Sequence, residues 1–301
     1  MRTWSPQQVA AAAGARSLAA TAPGEGPRRA VVDSRQAGAG DLFVGLPGEH
    51  ADGGRFAPEA LAAGAWGVLV APQHAEAARC APPGVLLAAE DPLSALQQLA
   101  TAWRRELDPR VIGITGSTGK TSTKDILSAL LAPARRTVAS RANLNTDIGV
   151  PMAVLEAPPG TEVLVLELAM RGPGQIAELA AIAEPDVGVI LNVGPVHLEL
   201  LGTVEAVAAA KAELLAALPS GGTAVVPADE PLLEPYLRKE LDTITFGPGG
   251  DVALAGAVGP GVLIDARGER IELEPSFTQA FNRLNLLAAV AAALAVGVVP
   301  E

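Results

Sequence analysis

The chain is poor in the residues that build most metal and redox sites. It holds one cysteine, Cys80, and three histidines, His50, His74 and His197, in 301 residues. A single cysteine forms no intrachain disulfide and builds no Cys-based zinc or iron–sulfur site, so Cys80 reads as a small hydrophobe. Any metal must therefore lean on oxygen ligands. Aromatic residues make up only 3% of the chain, which excludes a stacking platform for single-stranded nucleic acid. Positive charge is also scarce. Lys and Arg number 22 against 33 Asp and Glu, for a formal charge of −11, the wrong sign for a general phosphate-backbone binder. A local basic site for one phosphorylated small molecule stays open. The longest apolar run, residues 286–299, is Ala-rich and shorter than the ~20 residues of a membrane span. Pro6 and two glutamines follow Arg2, where a signal peptide would place its apolar core. These absences predict a cytoplasmic protein.

What remains is globular: 49% of residues are hydrophobic and 18% charged. The length suggests two domains, with a core large enough to need no staples. In the first half, strands are expected at 29–34, 42–46, 66–70 and 84–88, and a helix at 56–63 stopped by Gly64. Asp91-Pro92 reads as an N-cap with proline in the first turn, opening a helix to about Leu107 that Asp108-Pro109 ends. The domain boundary is placed there, giving domains at 1–107 and 108–301. In the second half, strands are expected at 111–115, 163–167, 187–192, 223–226 and 243–246. Helices are expected at 120–131, 173–183, 203–218, 231–240 and 280–296. Alternation of strand and helix predicts an α/β fold with a mostly parallel sheet covered on both faces. Residues 251–273, with their Gly-Pro-Gly and Arg-Gly turns, suggest a small antiparallel piece at its edge.

The strongest chemical signal is Thr115-Gly116-Ser117-Thr118-Gly119-Lys120-Thr121-Ser122, between a strand and a helix. Consecutive backbone N–H groups and a helix N-terminus suit polyphosphate. Lys120 would reach the terminal phosphates, and the Thr121 hydroxyl would coordinate magnesium. Ile114 stands where the usual P-loop has its first glycine. Two later residues follow strands and could face the phosphates, because strand C-termini converge on the ligand crevice of an open α/β sheet. Glu167 is a natural magnesium ligand there, or else an ordinary strand-end carboxylate. His197 is a second candidate, or else a hydrogen-bonded loop histidine. Lys211, on an Ala-rich helix, reads in isolation as a surface lysine.

Together these pieces resemble the Mur ligase family of peptidoglycan synthesis, and within it the members that add D-alanyl-D-alanine. The loop 116–121 looks like the family's shortened P-loop. The segment 143–151, from Asn143 and Asn145 to Pro151, resembles the one that follows it, and 167–176, with Gly172 and Gly174, the next block. Residues 192–199 and Lys211 match the metal-histidine and modified-lysine blocks. Asn282 and Asn285 match a pair that contacts the nucleotide base, although Phe281 stands where a His is usual. In the first half, Asp33-Ser34-Arg35, residues 40–46, Gly48, Asp52-Gly53 and residues 63–65 match a uridine-diphosphate-binding domain.

The resemblance implies a small α/β UDP-binding domain followed by a P-loop-type ATP-binding domain, with ATP and Mg2+ as cofactors. The substrates implied are UDP-N-acetylmuramoyl-tripeptide and D-alanyl-D-alanine. Gly116, Ser117, Thr118, Gly119, Lys120, Thr121, Ser122, Asn282 and Asn285 would bind ATP. Thr121, Glu167, His197 and a carbamylated Lys211 would hold metal, with Lys120, Lys211 and His197 catalytic. Ser34, Arg35, Asn143 and Asn145 would bind the UDP substrate. A third, C-terminal domain would be expected beyond Glu301, so the chain is read as two of three domains, monomeric and unable to complete the ligation alone. Alternatives are a diaminopimelate- or lysine-adding Mur ligase, a simple P-loop kinase or ATPase, a folylpolyglutamate synthase, and a non-catalytic fragment that binds UDP-sugar and ATP.

Overall fold

Short, fully apolar strands flanked by amphipathic helices must be covered on both faces, and two such sheets organise this chain. The computed structural model describes residues 1–301 except Arg2, residues 21–24, His50, Cys80, Ala142, Asn143, Gly259, Thr278, Ala280 and Glu301, and except the side chains of Ala20 and Phe281. The readings of Cys80, Asn143 and the Phe281 side chain therefore fall outside the described residues. The chain divides into two compact units, Met1–Leu107 with Pro151–Pro159, and Asp108–Val150 with Gly160–Glu301.

The first unit opens with helix α1 (Pro6–Ala12), capped by Ser5 in a capping box with Gln8. Its sheet contains β1 (Arg16–Ala20), β2 (Arg29–Val31), β3 (Asp41–Val44), β4 (Gly67–Val70) and β5 (Val85–Ala88), in the order β1-β5-β4-β3-β2. The strands pair in parallel except β1, which runs antiparallel to β5. Helices α2 (Ala57–Ala62), α3 (Pro72–Arg79) and α4 (Pro92–Leu107) complete it. As expected, Asp91 caps α4, its Oδ1 accepting from Leu93 N at 3.0 Å and Ser94 N at 3.2 Å. The expected helix at 56–63 is shorter than its pattern, because Gly53–Phe56 is a 3-10 turn. The strand expected at 29–34 likewise ends at Val31, and Ser34–Gln36 forms a 3-10 turn, because the Asp33 side chain accepts the Arg35 N–H. The segment Pro151–Pro159 belongs to this unit, where the buried Trp103 donates its Nε1–H to Ala157 O at 3.0 Å.

The second unit contains β6 (Arg110–Thr115), α5 (Lys120–Leu131), β7 (Thr137–Ala139), α6 (Gly149–Glu156, which crosses into residues of the first unit), β8 (Val163–Glu167), α7 (Gln175–Ala183) and β9 (Val187–Ile190). It continues with α8 (Leu198–Leu201), α9 (Val204–Ala217), β10 (Thr223–Pro227), β11 (Asp242–Phe246), β12 (Val252–Val258), β13 (Gly261–Ala266), β14 (Glu269–Leu273) and α10 (Phe281–Ala295). Its sheet runs β14-β13-β12-β11-β10-β9-β6-β8-β7. Strands β7 to β11 pair in parallel, and β12, β13 and β14 form the expected antiparallel edge. Residues 231–240 form no α-helix: Pro231–Tyr236 is a 3-10 turn with Pro235 inside it, and a proline there removes the donor an α-helix needs. Helices α5 and α10 pack together, with Leu127, Leu131, Leu286, Leu287 and the alanines of α10 buried in one cluster. Strand β6 lies between β8 and β9, so the chain reverses its direction of travel across the sheet at β6. That is the switch point at which open α/β sheets bind ligands.

A buried ion cluster anchors the first unit. The fully buried Asp41 side chain accepts from Arg29 Nε on Oδ1 and from an Arg29 terminal nitrogen on Oδ2, both at 3.1 Å, and from Arg28 on Oδ1 at 3.0 Å. Burial pushes the Asp41 carboxyl up, and the hydrogen bonds and charges of Arg29 and Arg28 outweigh it, so it ends below its ordinary value. Both arginines keep part of their surface in water, which discounts the loss on breaking the cluster. Asp41→Ala should lower the unfolding free energy by ~2 kcal/mol in urea titrations at pH 7. A carboxyl lowered on folding contributes stability above its unfolded pKa of ~3.9 and loses it as pH falls through the folded value. The gap between variant and wild type should therefore close below pH 4, and a gap that is constant with pH would refute the assignment.

Candidate functional site

The site grows from the end of β6. Gly116 to Gly119 turn the chain into α5, with Gly119 at φ +84°, a left-handed conformation that favours glycine. A Cβ at Gly119 would also run into the Asn285 amide. The first turn of α5 leaves its N–H groups without intrahelical acceptors. The Lys120 side chain folds back, donating from Nζ to Gly116 O at 2.7 Å.

The front of the loop is less open than its glycines suggest. Ser117 N donates to Asn192 O at 3.3 Å, and Thr118 N to Asn192 Oδ1 at 3.0 Å. Asn192 Nδ2 donates to Thr118 O at 3.2 Å. Ser117 Oγ accepts from Gly194 N at 2.8 Å and donates to Gly194 O at 3.2 Å. The N–H groups of Ser117 and Thr118, expected to face phosphate, thus already have acceptors. Those from Gly119 onward form the open part of the cradle.

Glu167 is placed by register. It ends β8 opposite Ile114, beside the start of the loop. Its carboxylate is buried, yet no cation is paired with it among the described residues. Glu167 Oε2 accepts from Thr121 Oγ1 at 2.9 Å, and Oε1 accepts from Asn145 Nδ2 at 2.9 Å. Glu167 N donates to Ser140 Oγ at 3.1 Å, and the buried Lys124 donates from Nζ to Ser140 O at 2.8 Å. Lys124 and Ser140 escaped the sequence reading: one sits on the inner face of α5, the other just past the unexpected strand β7. A lysine four residues after Lys120 was the only available signal.

Lys211 is not the surface lysine its helix suggested. It is buried on α9, and no partner for Nζ is found among the described residues. Burial, then the charge of Lys120, lowers its pKa to about 8. Burial also lowers the Lys120 pKa, while Glu167 pulls it up. The two lysines and Glu167 thus share one electrostatic neighbourhood. His197 takes a positive φ of +54° at the start of α8 and lies 3.9 Å from Glu199 Oε1 through Nδ1. It lines a cavity of about 530 Å³ with Asn145, Asp147 and Arg171. Among the described residues, no group of three or more His, Cys, Asp and Glu side chains is gathered to hold a metal. A second cavity, of about 370 Å³, is lined by Gly119, Ser122, Phe246, Leu284 and Asn285. Asn285 Nδ2 donates to Asn282 Oδ1 at 3.1 Å, so these two residues meet. In the first unit, Arg35 is exposed and makes a two-point pair with Asp33, at 2.9 and 2.8 Å, next to Ser34.

Comparison with known proteins bears on this arrangement. Residues 114–293 match the Mur ligase middle domain, and residues 30–104 match the Mur ligase family catalytic domain. The chain is 41% identical over 270 residues to a UDP-N-acetylmuramoyl-tripeptide–D-alanyl-D-alanine ligase of Synechocystis sp., covering 88% of this chain and 58% of the relative. A crystal structure described as MurF from Acinetobacter baumannii superposes with a TM-score of 0.85 at 30% identity, covering 98% of this chain and 66% of that one. One from Thermotoga maritima, in complex with ADP, superposes with a TM-score of 0.79 at 32% identity, covering 91% and 64%. The chain therefore spans about three fifths of the length of the relatives it matches. Among the described residues, no helix is long and apolar enough to cross a membrane. A glycine turn into a helix at the sheet's switch point, a buried carboxylate on its threonine and a family match across most of both units lead to one conclusion: the chain belongs to the Mur ligase family.

Proposed function

We propose that this chain carries the nucleotide- and acid-binding part of a cytoplasmic ligase that joins D-alanyl-D-alanine to UDP-N-acetylmuramoyl-tripeptide in peptidoglycan precursor synthesis. The observation that carries the reading is Glu167. One of its oxygens accepts from Thr121 of the phosphate loop, and the other from Asn145 of the segment that would meet the acid substrate. The site thus joins a phosphate-binding element to a second element within one carboxylate's reach. The Synechocystis relative and the A. baumannii structure favour the D-alanyl-D-alanine-adding branch.

A carboxylate does not condense with an amine near neutral pH, because its oxygen is a poor leaving group. In the proposed reaction, an oxygen of the tripeptide's terminal carboxylate bonds to the γ-phosphorus of ATP, and the bond from that phosphorus to the β,γ-bridging oxygen breaks, releasing ADP. The amine of D-alanyl-D-alanine then bonds to the acyl carbon. Inorganic phosphate departs, and the amine proton passes to water or a nearby base. Lys120 would leave Gly116 O and stabilise the charge spread over the transferring phosphoryl group. The N–H groups from Gly119 onward would hold the other phosphates. The Thr121 hydroxyl and the unpaired Glu167 carboxylate are oxygen donors that fit Mg2+, and a carbamylated Lys211 would add a third, while His197 lines the cavity of Asn145, whose amide reaches Glu167. Bound there, Mg2+ would neutralise charge on the phosphates. Asn282 and Asn285 would contact the base, and Ser34 and Arg35 the uridine diphosphate.

Calorimetric titration separates the branches of the family. The chain should bind UDP-N-acetylmuramoyl-tripeptide at least about tenfold more tightly than the dipeptide precursor. The reverse preference would point to the diaminopimelate- or lysine-adding reaction. No binding of either UDP-sugar peptide beside normal nucleotide binding would favour a simple kinase or ATPase.

The two ligand sites should also separate. Lys120→Ala should weaken ATP binding by about 2 kcal/mol or more, because it removes a charged donor to phosphate, and leave the UDP-tripeptide affinity unchanged. Equal loss of both, with the circular dichroism spectrum intact, would refute the two-site assignment.

Lys211 gives a pH-dependent prediction. Only a neutral amine attacks CO2: the nitrogen lone pair bonds to carbon, and a proton leaves to water, yielding a carbamate. With a pKa of about 8, roughly a tenth of Lys211 is neutral at pH 7 and roughly nine tenths at pH 9. At constant dissolved 13CO2, a carbamate carbon signal should grow across that range and be missing in Lys211→Ala. Equal signals in wild type and variant would overturn the carbamate reading.

A further inference from the structure

We infer that Asn192 is a positioning residue for nucleotide binding: it holds the front of the phosphate loop in shape, so that the phosphates meet only its rear half. The inference rests on the reading of residues 116–122 as a phosphate loop and goes beyond it.

A loop built from glycine, serine and threonine has many conformations of similar energy, and its N–H groups bind phosphate well only if they converge beforehand. Here the convergence is imposed from outside the loop. The planar amide of Asn192 pairs with both backbone groups of one residue, accepting from Thr118 N and donating to Thr118 O. Its own carbonyl takes Ser117 N, and Gly194 exchanges two hydrogen bonds with the Ser117 hydroxyl. Leu191 braces the remaining side, because a Cβ at Gly116 would come within 2.9 Å of Leu191 Cβ. Strand β9 ends at Ile190, in register with Thr115, so this brace extends the sheet into the loop.

Only asparagine supplies this pair of bonds at this reach. Aspartate keeps the acceptor for Thr118 N but turns a donor into an acceptor facing Thr118 O, and it places a negative charge beside the phosphates. Alanine removes both bonds. The N–H groups of Ser117 and Thr118 are satisfied by the brace, so phosphate need not compete for them. What the brace provides is order, and its loss should appear as lost phosphate affinity. Asn192 lines the cavity of Gly119 and Asn285, and His197 follows it by five residues, so the same turn joins the loop to the histidine segment.

The test compares ADP with adenosine, which lacks phosphates, by calorimetry on the wild-type chain, Asn192→Ala and Asn192→Asp. Asn192→Ala should weaken ADP binding about tenfold and leave adenosine unchanged. Asn192→Asp should weaken ADP binding more than Asn192→Ala does, although it conserves volume and one bond. Native-state hydrogen exchange should show the Thr118 amide losing protection in Asn192→Ala. Unchanged ADP affinity in both variants would overturn the inference. Tighter ADP binding in Asn192→Ala would overturn it too, since Asn192 would then be a competitor of phosphate. If Asn192→Ala does not fold, Asn192→Asp decides alone, because unchanged ADP affinity there is incompatible with the brace. If the wild-type chain binds ADP no better than adenosine, it is the phosphate-loop reading that fails.

Discussion

A carboxylate buried without a cation beside it governs the chemistry of the second unit. Glu167 lies at the end of a central strand, and its two oxygens are held by the Thr121 hydroxyl and the Asn145 amide. Neutral donors satisfy the geometry of a carboxylate but cancel none of its charge. Lys120 feels that charge, the field of Glu167 pulling its pKa upward against its own burial, and Lys211 feels Lys120 in turn. Magnesium and anionic phosphates arriving together would add charges of both signs to this cluster. Residues that fix Glu167 therefore matter even where they touch no ligand. Ser140 takes its N–H, and Lys124 holds the Ser140 carbonyl from inside α5.

Much of this was legible in the sequence because local rules and tertiary demands agree here. Helix α5 and strand β8 fall on the expected residues, since a glycine turn and an apolar run each mark their own ends. The α/β class and the antiparallel edge were readable from alternation and turn residues. Other elements were not. Strand β7 is three residues long, and all three are only partly buried, so it carries no pattern of its own. Helix α6 contains Pro151, which sequence reasoning treats as a breaker, although it sits in the first turn where its missing N–H costs nothing. Residues 231–240 read as helical because their leucines are suitably spaced, but Pro235 limits them to a 3-10 turn.

The site divides along the same line. Lys120, Thr121 and Glu167 were singled out because motif and strand end announced them, and the structure brings Thr121 and Glu167 into hydrogen-bond contact. Lys211 could be singled out only through family resemblance, since an Ala-rich helix gives no sign of which face is buried. The hydrogen bonds of Asn192 to the loop had no signal at all. Its contacts are with residues more than 70 positions away, and they depend on β9 lying beside β6. Sequence spacing shows which residues share an element, while the register between strands decides which of them meet.

Burial of Lys211 also has a thermodynamic consequence that favours modification. A lysine whose pKa falls from 10.5 to about 8 on folding makes the protonated folded state less stable. By linkage that penalty is ~3 kcal/mol below pH 8, and it fades as pH rises from 8 to 10.5. A cationic amine with no partner among the described residues, beside a second lysine, is thus a poor permanent occupant of the site. Carbamylation replaces that cation with an anion. Lys120 would then be an attractive neighbour instead of a repulsive one, and the new oxygens would be donors suited to a divalent ion. The burial that destabilises the unmodified side chain is therefore the same feature that raises its neutral fraction and opens it to CO2.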